Sequence, residues 1–164
     1  MKKFIIIFAL IPLLFGCSTK DRSAQNIALV EKYIQSVENL DYQLMGSLLS
    51  EDYYGYGPSY GDSIGKEDAI INWRYNVENL YKSVDYSKSR NAAITIENGD
   101  NKGEWVSNWG ELDIVYKENN KKIKIWANTI YRIEGDKIVK SYTFYNEADV
   151  LKQLGFVFVD INHL

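Results

Sequence analysis

The chain has 164 residues, with 19 basic and 22 acidic side chains for a formal net charge of −3, and 14% of it is aromatic, including 13 Tyr and four Trp. This length supports one domain with a proper core, and an acidic chain without a basic run lacks the cationic footprint of a nucleic-acid binder. A single Cys (Cys17) and a single His (His163) leave no disulfide framework, thiol catalysis, metal cluster or Ser–His pair to expect.

At the start of the chain, Lys2 and Lys3 precede an apolar, uncharged run from Phe4 to Phe15, with Pro12 inside it. As a helix this run covers about 18 Å at ~1.5 Å per residue, short of the ~30 Å hydrocarbon core. A basic start, a short apolar run and a small residue at a cleavage point read as a secretory signal. Leu14-Phe15-Gly16-Cys17 resembles a bacterial lipobox, which implies cleavage before Cys17 and a lipid on Cys17 that anchors the protein to a membrane. Residues 1–16 are then the signal peptide, 17–23 the lipidated Cys and a short linker, and 24–164 the domain. Losing the signal removes two Lys and shifts the net charge to −5. Ser18 is not the Asp that holds enterobacterial-type lipoproteins at the inner membrane. The expected location is therefore the cell envelope, at an outer membrane, facing the periplasm or the surface.

Ile27, Val30, Ile34 and Val37 recur at helical spacing and predict a helix over about 24–40. Asp41 is placed to cap a short second helix carrying Leu44, Met45, Leu48 and Leu49. Asp52 to Tyr56 reads as a strand, broken by Gly57-Pro58 and a Gly/Ser loop. A third helix starts near Lys66, with Ile70, Trp73, Val77 and Leu80 on one face. The periodicity then changes to that of strands, over about 84–97, 103–117, 122–134 and 137–146. Turns fall at Asn98-Gly99-Asp100, Asn119-Asn120 and Gly135-Asp136. A last helix, Glu147 to Leu154, stops at Gly155. Helices followed by a meander of strands predict an α+β domain, with helices on one face of a curved antiparallel sheet.

Several segments, in this order, resemble the NTF2-like superfamily and its SnoaL-like (polyketide cyclase-like) branch. They are Asn39-Leu40-Asp41-Tyr42-Gln43, Leu48-Leu49-Ser50-Glu51-Asp52-Tyr53 and Gly65-Lys66-Glu67-Asp68-Ala69. Ile130 to Ile138 and Leu151-Lys152-Gln153-Leu154-Gly155-Phe156 complete the set. The resemblance spans residues 24–155 and implies a cone, the sheet wrapped around the N-terminal helices. It does not fix a function, because this fold hosts isomerases, cyclases, dehydratases and plain binding modules.

Two-residue turns at Gly135-Asp136 and Asn119-Asn120 would set Ile133 opposite Ile138, Thr129 opposite Tyr142 and Ala127 opposite Phe144. They would also set Gly110 opposite Thr129 and Leu112 opposite Ala127. The expected cavity face is then Gly110, Leu112, Ile114, Ala127, Thr129, Tyr142, Phe144 and Asn146. Trp109, Glu111, Trp126, Asn128, Ile130 and Tyr145 face the other way. A one-residue slip of either turn would exchange the faces.

The resemblance also bears on chemistry. Cyclase-like members carry an acid/base Asp where this chain has Asn146, and the ketosteroid-isomerase branch has its base where this chain has Gly57, before Pro58. An amide hydrogen-bonds but does not titrate. Asp62 in the mouth loop, with Tyr142 as an oxyanion donor, is the remaining catalytic pair to consider, although Asp62 beside Gly61 also suits a turn. Glu111 and Asp113 alternate as a solvated strand face does. The reading is a lipid-anchored, non-catalytic module that binds a small apolar or aromatic ligand and needs no cofactor. Its expected contacts are Tyr54, Tyr56, Trp73, Val77, Thr129, Tyr142, Phe144 and Asn146. The rivals are an enzyme acting on a carbonyl or carbon acid with a relocated acid, and an interaction module that forms a homodimer through the outer sheet face.

Overall fold

The computed structural model describes residues 22–160 and 162. The lipobox with Cys17 and the terminal His163 lie outside the described residues. In chain order the elements are α1 (Ser23–Glu38), α2 (Tyr42–Leu48), β1 (Leu49–Tyr56), β2 (Ser63–Gly65) and α3 (Lys66–Tyr75), which continues into one π-helical turn, Asn76–Leu80. Then follow β3 (Tyr81–Ile96), β4 (Gly103–Tyr116), β5 (Lys122–Glu134), β6 (Lys137–Tyr145) and α4 (Glu147–Leu154). The strands form one curved, unclosed sheet in the order β2-β1-β6-β5-β4-β3, antiparallel except for the β1–β6 pair.

Local chemistry explains most boundaries. The apolar stripe of α1 buries Val30, Tyr33, Ile34 and Val37, and the helix packs on β3 and β4. Leu40 then turns the chain in the left-handed region at φ 55°. Asp41 caps α2 by accepting the Leu44 N–H at 2.9 Å. At the other end Asn146 caps α4 by accepting the Asp149 N–H at 3.0 Å. Gly155, at φ 99°, closes α4, with its own N–H donated to the Lys152 carbonyl and that of Phe156 to the Leu151 carbonyl. The core lies between the helices and one sheet face, where Met45, Val106, Ile123, Ile133 and Ile138 are fully covered.

The sheet register corrects two expectations, with different consequences. The β4–β5 connection is a five-residue loop, and Gly110 faces Ala127 and Leu112 faces Ile125. This is a shift of two residues, so every side chain keeps its expected face. The β5–β6 pair starts as expected, with Ile133 opposite Ile138, but Arg132 then faces Lys140. Val139 is an extra residue, a β-bulge, and beyond it Thr129 faces Thr143 and Ala127 faces Tyr145. One extra residue exchanges the faces of β6. Ser141, Thr143 and Tyr145 turn toward the helices, and Tyr142 and Phe144 turn to the outer face. The short strand β2 was not expected from the sequence.

Candidate functional site

A cavity of about 330 Å³ opens between the helices and the concave sheet face. Its floor is aliphatic, from Val37, Ala69, Leu112, Ile114, Ile123 and Ile125. Its walls are phenolic. Tyr33 comes from α1, Tyr53 from β1, Tyr81 and Tyr86 from β3, Tyr116 from β4, Tyr131 from β5 and Tyr145 from β6. Trp73, Asn72 and Asn76 close it from α3 and its last turn, and Thr129, Ser141 and Thr143 add hydroxyls. No Asp, Glu, Lys, Arg or His is among the described lining residues.

The phenols are held by one another and by small polar partners. The Tyr53 hydroxyl lies 2.7 Å from Ser141 Oγ. Tyr33 meets Tyr131 edge to face at 5.7 Å, and Tyr81 meets Trp73 at 6.4 Å and Tyr116 at 5.5 Å in the same manner. Thr129 Oγ1 and Thr143 Oγ1 stand 3.3 Å apart, and Asn76 donates to Asn72 Oδ1 at 2.9 Å. Burial pushes the Tyr86 phenol up to about 12, with the Glu38 carboxylate adding to the effect. Burial likewise raises Tyr33 and Tyr131 well above the usual phenol range, and raises Tyr53. These hydroxyls stay protonated at neutral pH and can donate to an acceptor without carrying charge.

The mouth is set by Gly57. At φ 92° it adopts a backbone that favours glycine, and a Cβ there would lie 2.4 Å from the Thr143 carbonyl oxygen. The loop beyond it is tied down by the Gly57 N–H donated to the Asp62 carbonyl at 3.1 Å and by Ser59 Oγ donated to Glu147 Oε2 at 2.9 Å.

The residues expected to form the site divide between the two faces. Trp73 and Thr129 line the cavity. Tyr142 does not: its ring stacks between Tyr56 at 5.0 Å and Trp105 at 6.3 Å, on the outer face. Tyr56 edges the mouth through its position beside Gly57, while its ring belongs to that outer stack, with the exposed Tyr54 5.7 Å away. Phe144 is 52% exposed on the outer face. Asn146 is committed to capping α4, a role that explains a short polar side chain there without any chemistry. Val77 lies outside the lining, and its carbonyl accepts from Lys117 Nζ at 2.8 Å. Asp62 is exposed in the mouth loop, and it adds only a last increment to the Tyr145 phenol, which burial raises first, followed by the Glu147 carboxylate. With Tyr142 on the outer face, the pair Asp62 and Tyr142 does not converge. Glu111 and Asp113 belong to an outer-face ladder with Lys88, Lys122 and Lys124, whose ammonium groups hold both carboxyls below their usual range.

The cavity tyrosines were not singled out in the sequence. A usable signal existed in α1, where Tyr33 shares the stripe of Val30, Ile34 and Val37, and in β5, where Tyr131 alternates with Thr129 and Ile133. Among the described residues no group of three His, Cys, Asp or Glu side chains could hold a metal ion.

No protein-family model and no curated protein matches the chain. Solved structures do. A candidate polyketide cyclase from Xanthomonas campestris is 14% identical, with a TM-score of 0.67 over 82% of this chain and 99% of that one. An LEH-like epoxide hydrolase of M. tuberculosis is 14% identical, with a TM-score of 0.59 over 81% of this chain and 91% of that one. An NTF2-like protein from Anabaena variabilis is 17% identical, with a TM-score of 0.62 over 79% and 92%. At these identities the likeness is one of fold: the chain has the cone of the NTF2-like and SnoaL-like proteins.

Proposed function

We propose that the cone cavity is a receptor for a small, uncharged ligand, apolar or aromatic with a few acceptor oxygens, and that it carries out no chemistry on it. The observation that carries this reading is the lining itself: phenols, hydroxyls and amides over an aliphatic floor, with no described acid, base or cation. Proton transfer at carbon needs a group that titrates near neutral pH. The phenols here are shifted away from neutrality by burial. A charged ligand entering this lining would meet no counter-charge and would lose its hydration. A volume of about 330 Å³ suits a small molecule.

The lipid anchor belongs to the same proposal. The lipobox-like Leu14-Phe15-Gly16-Cys17 supports a receptor tethered to the cell envelope, and Cys17→Ser is expected to leave the protein unprocessed or mislocalised. Normal processing and membrane attachment of that variant would remove the anchor from the reading.

Native mass spectrometry of the purified protein tests the receptor. A retained small molecule is expected in the wild type and not in Ala127→Trp, which puts a large ring into the cavity wall. Structural likeness to a candidate cyclase and an epoxide hydrolase makes turnover the outcome that would overturn the proposal. Turnover of an enolisable carbonyl compound, lost in Ala127→Trp, would show a catalytic cavity.

A further inference from the structure

The polar groups of the cavity are mostly engaged with one another. Tyr53 lies 2.7 Å from Ser141 Oγ, Tyr33 has the Trp73 indole, Tyr131 the Thr129 hydroxyl, and Tyr81 and Tyr116 have each other. Thr129 Oγ1 also stands 3.3 Å from Thr143 Oγ1, and Asn76 donates to Asn72 Oδ1 at 2.9 Å. Two phenols differ. Tyr86 and Tyr145 have no hydrogen-bond partner for their hydroxyls among the described residues. An enclosed hydroxyl left unmet is rare in folded proteins, because it costs free energy.

These two hydroxyls belong to opposite sides of the cavity. The register runs Tyr86–Leu112–Ile125 across β3, β4 and β5, and Gly110–Ala127–Tyr145 across β4, β5 and β6. The two rows are neighbours on the same concave face, so the rings rise on either side of Leu112, Ile125 and Ala127, which all line the cavity. With β4 and β5 between them, their backbones are about 14 Å apart across the sheet, at ~4.8 Å per strand. Tyr86 is enclosed, and Tyr145 sits at the mouth. Two donors thus face an aliphatic floor from its two ends.

The mouth also selects by charge. Ser59 Oγ donates to Glu147 Oε2 at 2.9 Å and the Gly57 N–H to the Asp62 carbonyl at 3.1 Å, which holds both acidic residues at the rim. Both carboxylates act on the Tyr145 hydroxyl, Glu147 more than Asp62. An anionic group brought to Tyr145 would meet like charge there.

Resting on the receptor reading above, we propose that the ligand is an uncharged dicarbonyl compound, with an ester or ketone at each end of an apolar middle. One carbonyl oxygen accepts from Tyr86 inside the cavity and the other from Tyr145 at its mouth, while the middle lies on Leu112, Ile125 and Ala127. A carbonyl brings acceptors only, so no hydrogen of the ligand is left unpaired over the aliphatic floor. The free acid of the same compound is turned away at the rim by Glu147 and Asp62.

Dimethyl terephthalate is the probe, titrated into the full-length chain by calorimetry. Beside it stand methyl 4-methylbenzoate, which lacks the second carbonyl group, and monomethyl terephthalate, which is an anion. The diester is expected to bind about fivefold more tightly than the monoester, the difference one neutral hydrogen bond makes, and the anion more weakly than either. Tyr86→Phe and Tyr145→Phe should each weaken the diester about fivefold for the same reason. Tyr86→Phe should do so without lowering the denaturant midpoint, since its hydroxyl has no partner to lose, and Tyr142→Phe on the outer face should change no affinity. Ala127→Trp should abolish binding of both esters. Equal binding of diester and monoester, phenol variants without effect, or an anion bound as well as the diester would overturn the proposal. If Ala127→Trp still abolished binding, the receptor reading would survive that failure. A diester that does not bind, or binds Ala127→Trp unchanged, would also overturn the proposal, and the native mass spectrum would then decide the receptor reading by itself.

Discussion

The two faces of strands β4 to β6 are both rich in aromatic residues, yet they use them in opposite ways. On the inner face, Tyr131, Tyr145 and Tyr116 lie under the helices among other phenols, Thr and Ser, and no charged side chain is among the described lining residues. On the outer face, Trp109, Trp126 and Phe144 stand in water beside a Lys–carboxylate ladder. Farther along that face, Tyr54, Tyr56, Tyr142 and Trp105 are stacked on one another under Lys140, whose ammonium lies 5.8 Å from the Tyr56 ring. The inner set is mostly Tyr, while the outer set mixes Tyr, Trp and Phe. A buried aromatic needs a polar tip that can be satisfied in place, and Tyr supplies it. An exposed one needs only a face to offer, and Trp109, Trp126, Phe144 and Tyr54 all do so.

If the faces differ this much, moving one strand by one residue should be ruinous. Deletion of Val139 removes the bulge and would turn Tyr142 and Phe144 inward while expelling Ser141, Thr143 and Tyr145. The expected outcome is a chain without a cooperative unfolding transition, measured by circular dichroism during denaturant titration. A deletion variant that still unfolds cooperatively would show that the two faces are interchangeable and would break the comparison.

Alkali and acid should act on different faces. Below pH 10, the ordinary phenol value, Tyr86 is protonated in both folded and unfolded chains and its contribution is intact. Between about 10 and about 12 the unfolded chain releases this proton and the folded one keeps it, so stability falls as pH rises. Tyr86 alone accounts for roughly 2–3 kcal/mol by the upper end of that window, and Tyr33, Tyr53 and Tyr131 shift in the same direction. Glu111 and Asp113 have lowered values, so their contribution is present above the ordinary carboxylate range and is lost as pH falls through the folded values. Denaturant midpoints against pH should therefore drop steeply above pH 10, together with the appearance of tyrosinate absorbance, and only gently in acid. Tyrosinate absorbance beyond what the exposed Tyr54, Tyr60 and Tyr75 account for, appearing well before unfolding, would mean that the inner phenols are wet.

A smaller effect is expected from Tyr53→Phe. The Tyr53 hydroxyl is 2.7 Å from Ser141 Oγ, and both residues are buried. The substitution strands the serine without its partner and should cost about 1–2 kcal/mol in chemical denaturation. No measurable loss would show that water reaches Ser141 through the cavity.

These effects also mark where sequence reasoning stops. The helices were legible because their stripes and caps are local: Asp41, Asn146 and Gly155 each sit within four residues of the groups they satisfy. Strand positions were legible from alternation, and the β4–β5 faces survived a wrong loop length because the error was even. The β5–β6 faces did not survive, because Val139 is an ordinary strand residue and nothing local marks it as extra. The bulge is settled by which register fills the core, with Ile138 fully buried before it and Ser141 meeting Tyr53 after it. That is why Thr129 lines the cavity while Tyr142 and Phe144 face outward. Aromatic content cannot decide the matter either, since both faces are aromatic.

The smallest expected effect is the sharpest probe of the outer face. Trp126 is a large ring on a central strand, and by area alone its loss would be severe, about 3–5 kcal/mol for a packed Trp→Ala. With the ring 78% exposed, little of that area is withdrawn from water on folding. Its strand partner Glu111 is satisfied by Lys88 and Lys124 and not by the indole. Removing the ring also leaves no buried polar group unpaired and opens no cavity, the two mechanisms behind large losses. Trp126→Ala should therefore change the unfolding free energy by no more than ~0.5 kcal/mol, as surface substitutions do. A loss above about 1 kcal/mol would mean that the ring is covered in solution. If that loss also depended on protein concentration, the cover would be a second copy of the chain.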